Sequence, residues 1–270
     1  MVKYFSHHYN DINYFRFSVY HFGKNVQSVY AFVVDEVLID TGQRHNRENV
    51  LKALEGREIE KILLTHHHED HSGNVNYLMN KFNIPAYAHP KAVDILKKGY
   101  KMSPLAKVMN GSVEKAILIP LDERPILTKN HQLFPIFTPG HCVDHYAYHE
   151  PNKGYLFSGD LYVADKIKYF GDYESMKEQI ISLEKLVALD FDVLFCSHNP
   201  KTKNGKERLT SKLNGFKDFY QTVAHLHSKG LTENEIMKEM GRVENHFYKL
   251  VTMGKFCGVQ MVKSVVRDLE

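Results

Sequence analysis

The chain has 270 residues, 43% of them hydrophobic and 25% charged, with a net charge of +3, an ordinary globular mix that excludes a disordered or low-complexity chain. No run approaches the roughly 18 apolar residues of a membrane span, and the opening "MVKYFSHHYNDINYF" has no apolar stretch of signal-peptide length, so a cytoplasmic protein without membrane contact is expected. Three scattered cysteines, Cys142, Cys196 and Cys257, make neither a CxxC pair nor a disulfide framework and fit a reducing compartment.

Short β-like runs open the chain, at 17–22 ("FSVYHF"), 29–35 and 36–42 ("EVLIDTG"), and helical spacing follows at 46–54. The next strand, 61–65 ("KILLT"), leads into a polar cluster and a helix at 74–82, with Ser72 and Asn74 as candidate caps. A strand at 84–89, a helix at 91–100, and strands at 116–120, 132–140 ("QLFPIFTPG"), 145–150 and 154–160 ("GYLFSGD") come next. In the helix predicted over 173–189, Met176, Ile180, Leu183, Leu186 and Val187 share one face, and a last strand covers 192–198 ("DVLFCSH"). Interspersed strands and helices must pack on one another in layers. Beyond residue 205 the pattern is helical alone, broken at Gly230, restarted by Thr232 and Glu235 at capping-box spacing, and stopped at Gly241. The expected division is an α/β domain over 1–208 and a helical extension over 209–270. Residues 201–270 hold 13 Lys/Arg against 8 Asp/Glu, without a block of like charge, which favours a solvated helical surface over a nucleic-acid footprint.

The chemistry sits at strand ends. Directly after "KILLT", residues 66–71 hold four histidines and two acids. Alternate residues of an extended segment point the same way, so His66 and His68 can grip one ion while Asp70 and His71 turn towards a neighbouring position. A solvated polar turn is the competing reading. It weakens because three other apolar runs also end in a donor: His141 after "LFPIFTPG", Asp160 after "YLFSG" and His198 after "DVLFCS". Carboxyl ends of strands in layered folds line a common crevice. His66, His68 and His141 suit one zinc with a position left for water; Asp70, His71 and His198 suit a second, with Asp160 bridging. Two cations about 3.5–4 Å apart can share a hydroxide and polarise a substrate oxygen.

The segments "THHHEDH" (65–71), "TPGH" (138–141), "SGD" (158–160) and "SH" (197–198), with "LIDTG" (38–42) before them, resemble the signature of the metallo-β-lactamase fold superfamily over roughly residues 20–200. The resemblance implies a four-layer αββα sandwich with two Zn²⁺, or iron or manganese in their place, at one edge between the sheets. Asp40 matches the family's acidic position in its "DTG" turn, a structural residue there. "TPGHCVDHYAYH" resembles the "TPGHTxDH" of a subgroup that includes β-lactamase-like protein 2, an RNA-cleaving member with a helical tail; Asp144 and His145 match its D-H pair, and His145 is read as an ordinary strand residue. The ligand set is also similar to that of the glyoxalase II-like branch. His67 and Glu69 are expected to point away from the ions, and Cys142 to be a core thiol. Tyr162, Lys201 and Lys203 are weak candidates for substrate contact; lactone-hydrolysing relatives place their tyrosine three residues after the bridging aspartate, whereas Tyr162 lies two after Asp160.

The expected function is metal-dependent hydrolysis of an ester, thioester, lactone or phosphodiester in a small-molecule substrate, by a bridging hydroxide, with Asp70 orienting the nucleophile and carrying the proton to the leaving group. Two rivals stand beside it. One is an iron-dependent oxidoreductase such as a persulfide dioxygenase; the other is an RNA-cleaving nuclease that uses the basic tail. The sequence is silent on oligomeric state.

Overall fold

A computed structural model describes residues 1–270, apart from the side chain of Tyr248. Its strands sort into two facing sheets. The first runs in chain order β1 (Val2–Tyr9), β2 (Ile12–His21), β3 (Lys24–Val34), β4 (Val37–Ile39), β5 (Lys61–Leu63), β6 (Ala86–Ala88) and β7 (Ile119–Pro120). Its first four strands are antiparallel and β4 to β7 are parallel. Parallel neighbours need crossovers, which α1 (Arg47–Leu54), α2 (Glu69–Ser72), α3 (Val75–Phe82), α4 (Pro90–Lys98) and α5 (Pro104–Asn110) supply. The second sheet holds β8 (Ile126–Leu127), β9 (Gln132–Phe137), β10 (Tyr146–Glu150), β11 (Tyr155–Gly159) and β13 (Val193–Cys196), with β13 and β8 at its edges; β12 (Phe170–Gly171) pairs instead with β14 (Phe256–Cys257) in a short ribbon. Helices α6 (Met176–Val187), α7 (Gly205–Ser228), α8 (Glu233–Glu239), α9 (His246–Val251) and α10 (Val259–Leu269) complete the chain.

Three apolar layers hold these parts together. Phe32, Ile39, Leu63, Tyr148, Phe157 and Phe195 fill the space between the sheets. Phe15, Phe17 and Ile62 of the first sheet pack outward on Val50, Leu78 and Leu96 of α1, α3 and α4. Leu156 and Leu194 of the second sheet pack on Leu183, Leu213 and Val262 of α6, α7 and α10. The result is the expected αββα order, with the last helices sharing the outer layer of the second sheet. Among the described residues no helix is long and apolar enough to cross a membrane.

The N-terminal hairpin departs from the expectation: the run at 17–22 is only the end of the ten-residue β2, and β1 was not predicted. β1 is an edge strand with one half-buried face, and its "SHHY" segment offers no apolar alternation to read. Ser72 also differs from its expected role. Its hydroxyl donates to the carbonyls of His67 and His68 at 2.7 and 3.0 Å. Asn74 does occupy the N-cap position of α3, yet makes no cap bond there; its amide donates to the carbonyls of Thr41, Gly42 and Gln43 and so ties the "DTG" turn to the ligand loop. The capping box at Thr232 and Glu235 forms as expected.

Lys212 of α7 lies fully inside, 2% exposed, its ammonium donating to the Leu161 carbonyl at 2.6 Å and lying 4.8 Å from the Phe216 ring centre. Burial lowers its pKa to about 8, against the opposing pull of Glu174 and Asp160. An unfolded lysine titrates near 10.4, so between these values the unfolded chain binds the extra proton and stability rises with pH. Compared with Lys212→Met, the native protein is expected to gain on the order of 3 kcal/mol between pH 8 and pH 10.5. Urea unfolding of both proteins at pH 7 and pH 10 checks this, and a pH-independent difference would refute it.

Candidate metal centre

The loop after β5 is set by the turn after β4. Asp40 has a left-handed backbone, φ +61°, which aspartate tolerates better than most residues, and is fully buried. Its carboxylate accepts the Thr65 N–H and hydroxyl, both at 2.8 Å, and His71 Nδ1–H at 2.8 Å. The Thr41 N–H and hydroxyl both donate to the His71 carbonyl, each at 2.7 Å. One short turn thereby orients His71 and anchors the start of the donor run.

The same arrangement recurs at His66, His141 and His198: one ring nitrogen is held from outside and the other faces inward, the usual device for orienting a metal-ligating imidazole. His66 Nδ1 lies 3.0 Å from Thr65 Oγ1, His141 Nδ1 lies 3.3 Å from the Glu174 carboxylate, and His198 Nδ1 donates to the Ser28 carbonyl at 2.6 Å. The inward atoms meet. His68 Nδ1 is 3.0 Å from His66 Nε2 and 3.1 Å from His141 Nε2. Donor atoms of three sets, His66/His68/His141, His66/His71/Asp160 and Asp70/His71/His198, each lie within 4.8 Å of one another. Asp160 faces both ends: its Oδ2 is 3.1 Å from His198 Nε2 and 3.7 Å from His141 Nε2, and its Oδ1 is 3.4 Å from His71 Nε2.

Metal ions fit this donor chemistry. His71 Nε2 and Asp160 Oδ1 are buried without a hydrogen-bond partner among the described residues, a costly state for polar atoms unless something coordinates them. Three imidazole nitrogens pointing at one another, beside carboxylate oxygens, are suited to zinc or iron. Burial, followed by the neighbouring imidazoles, holds His66 and His68 well below the ordinary histidine range, in the neutral form that ligates. Burial opposes the charged form at His71 too, but the Asp160, Asp70 and Asp40 carboxylates outweigh it and raise that pKa. Burial works against ionised Asp160 as well, yet His198 and His71 hold its carboxyl well below the usual range.

All seven expected donors therefore come together: His66, His68, Asp70, His71, His141, Asp160 and His198. Cys142, with His67 and His68, makes a further set within the same span, but His67 is committed to Asp144 at 2.8 Å, and burial pushes the Cys142 thiol well above its ordinary range, so it stays protonated in the core. The weak substrate candidates fare differently. Tyr162 is 1% exposed and its hydroxyl donates to Asp165 at 2.6 Å, which leaves it no face towards a substrate. Lys201 donates to its neighbour Asn199 at 2.8 Å, and Lys203 is exposed. Three residues went unread in the sequence. Gln27 of β3 donates to Asp70 Oδ2 at 2.8 Å, Glu174 supports His141, and the Tyr173 ring, 56% exposed, stands edge-on to His68 with centroids 5.6 Å apart. None carries a local signal, because each reaches the site from a distant segment.

Fold and donors together define a class: an αββα protein of the metallohydrolase kind, with a cluster of histidine and aspartate donors that could hold metal. The family model for the metallo-beta-lactamase superfamily matches residues 25–198, and the chain belongs to that superfamily. It is 34% identical over 179 residues to a hydroxyacylglutathione hydrolase of Hahella chejuensis, covering 64% of this chain and 59% of that protein. It is 29% identical over 133 residues to the probable metallo-hydrolase YybB of Bacillus subtilis, covering 49% of this chain and 59% of YybB. The chain thus spans about six tenths of the length of these curated relatives. Among solved structures, the metallo-beta-lactamase family protein TTHA1429 of Thermus thermophilus superposes with a TM-score of 0.65 at 19% identity, covering 90% of this chain and 89% of that one. TTHA1623, solved in a di-iron-bound form, superposes with a TM-score of 0.56 at 27% identity, covering 67% of this chain and 93% of that one.

Proposed function

We propose that the chain is a dinuclear metal-dependent hydrolase, and that a thioester is its preferred substrate bond. The observation that carries this reading is the position of Asp160, whose two oxygens face the imidazoles of both donor clusters. His66, His68 and His141 would hold one ion, Asp70, His71 and His198 the other. When bound, such a pair polarises a carbonyl or phosphoryl oxygen and makes a water acidic enough to attack near neutral pH. The remaining work belongs to side chains. Gln27 fixes Asp70 Oδ2 while Asp70 Oδ1 faces His71 at 3.7 Å, which suits Asp70 to orient the nucleophile and to pass a proton to the leaving group. Tyr173 borders His68 and offers a half-open aromatic wall to the substrate. Residues 1–208 carry this chemistry and residues 209–270 serve as a helical extension that buttresses it.

The thioester assignment draws support from the 34% identity to the Hahella hydroxyacylglutathione hydrolase. The likeness to TTHA1623 in its di-iron-bound form favours iron in the same donors, and a second reading pairs iron at this site with oxidation of a persulfide by dioxygen. Metal analysis of freshly purified protein and a panel of glutathione thioesters, lactones and phosphodiesters test both. The expected result is about two ions per chain, hydrolysis fastest on thioesters, loss of activity on chelation and its return with zinc. A fully loaded protein inert on the whole panel would overturn the hydrolase reading, and oxygen uptake on a persulfide by iron-loaded protein would establish the second.

A further inference from the structure

We propose that Asp144 and His145 are a positioning pair that sets the spacing between the ligand-bearing segments, and with it the affinity of the centre for its ions. The inference rests on reading the seven donors as a metal centre. The turn from β9 to β10 carries one of those donors itself, His141. Each of its last two residues then reaches across to a different neighbouring segment.

Asp144, fully buried, turns both carboxylate oxygens to His67, with the Cys142 thiol as a further partner. Its Oδ2 accepts the His67 backbone N–H at 2.8 Å, and its Oδ1 lies 2.8 Å from His67 Nδ1. His67 stands between the donors His66 and His68, so that stretch of backbone cannot shift without breaking both bonds. The Tyr100 ring stands edge-on to the His67 ring with centroids 5.1 Å apart, and the Tyr100 hydroxyl donates to the His67 carbonyl at 3.3 Å. Amide, ring and carbonyl of the residue between two ligands are all held.

His145 works on the other side and is not the ordinary strand residue expected: it lies just before β10, fully buried. The backbone N–H of Asp160 donates to its Nε2 at 3.1 Å. An N–H can only donate, so Nε2 is bare, and a neutral ring then carries its hydrogen on Nδ1, 2.8 Å from Thr138 Oγ1. There is no slack around this ring. A Cβ on Gly159 would come within 2.4 Å of His145 Nε2, and the ring centre is 5.2 Å from that of His66. The residue that bridges the two donor sets thus has its own peptide hydrogen-bonded by His145.

A packing role would be met by any side chain of similar size, whereas a positioning role needs an acceptor at the Nε2 position. His145→Gln and His145→Met separate the two, being close in length and volume while only glutamine offers an oxygen. Each variant and the native protein are stripped of metal and titrated with zinc against a chromophoric chelator, and the metal-free proteins are melted alongside. H145Q is expected to bind within about threefold of the native affinity and H145M to lose about 10–100-fold, the range seen when an outer partner of a ligand is removed. Asp144→Leu is expected to lose a similar factor, and Asp144→Asn, which keeps an acceptor for the His67 amide, to fall between. Folded H145M with native affinity for both ions would overturn the inference. So would equal losses in H145Q and H145M, or failure of both to fold, because either result makes His145 a structural residue alone. A native protein that takes up no zinc in the same titration would instead sink the metal-centre reading beneath it.

Discussion

Replacing Asp160 with alanine is expected to lower kcat/KM on the best substrate by at least ~10³-fold, about 4 kcal/mol of transition-state stabilisation, and to leave the purified protein with about one ion in place of the two proposed for the native protein. The argument is geometric. His66, His68 and His141 form one set and Asp70, His71 and His198 another, and each set alone offers three donors. Asp160 is the residue whose oxygens approach both, at 3.1 Å from His198, 3.4 Å from His71 and 3.7 Å from His141. Its removal takes a negative charge from beside the imidazoles of His71, His141 and His198 and leaves His71 Nε2 with one carboxylate fewer. The backbone N–H that Asp160 gives to His145 survives the substitution, so the fold is expected to persist. Elemental analysis after dialysis, together with steady-state kinetics, measures both effects. Asp165→Ala, which removes only the partner of Tyr162 and Arg208, serves as the control. An Asp160→Ala protein with two tightly held ions and a native rate would contradict the whole assignment of the site.

What the sequence disclosed and what it concealed divide along a physical line. The donors were legible because each segment that bears them follows an apolar run: "KILLT" before the cluster that opens at His66, "LFPIFTPG" before His141, "YLFSG" before Asp160, "DVLFCS" before His198. Strand ends in layered folds converge, so a donor at each end is a local signal with a tertiary meaning. The groups that orient those donors have no such signal. Glu174 sits 33 residues from the His141 it supports, and Gln27 sits 43 from Asp70. His198 is held by a backbone carbonyl, that of Ser28, which any residue there would supply. The αββα order could be anticipated from interspersed strands and helices, but β1 could not, since an edge strand buries only half of one face and "SHHY" carries no apolar alternation. Tyr162 shows the opposite failure. Its closeness to Asp160 in sequence suggested a role that its burial against Asp165 removes.

The largest effect on stability is expected at Gly140. Its backbone has φ +123°, a region that side-chain-bearing residues rarely enter, and a Cβ there would lie 2.4 Å from the Gln179 backbone nitrogen and 2.8 Å from its Cα. Those atoms belong to the first turn of α6 and cannot swing aside as a flexible side chain would. The contact is also stapled shut: the Ser175 N–H donates to the Gly140 carbonyl at 2.8 Å, and the Ser182 hydroxyl to the Pro139 carbonyl at 2.7 Å. Gly140→Ala must therefore accept both the backbone strain and the overlap, or push α6 away from the turn, at a combined cost of about 4 kcal/mol. Urea unfolding of the metal-free protein measures it. Gly215→Ala, within α7 where an added Cβ meets nothing within 4 Å, is expected to go the other way and stabilise by about 0.5–1 kcal/mol. The Gly140 substitution also reaches the metal centre, because Gln179 donates to the Glu174 carboxylate at 2.8 Å, and Glu174 holds His141. Displacing α6 frees that imidazole to rotate, so zinc affinity is expected to fall with stability in Gly140→Ala and to stay unchanged in Gly215→Ala. A Gly140→Ala protein within about 1 kcal/mol of native stability would show that the turn and the helix can part without strain, and the route from α6 through Glu174 to His141 would then carry no constraint on the site.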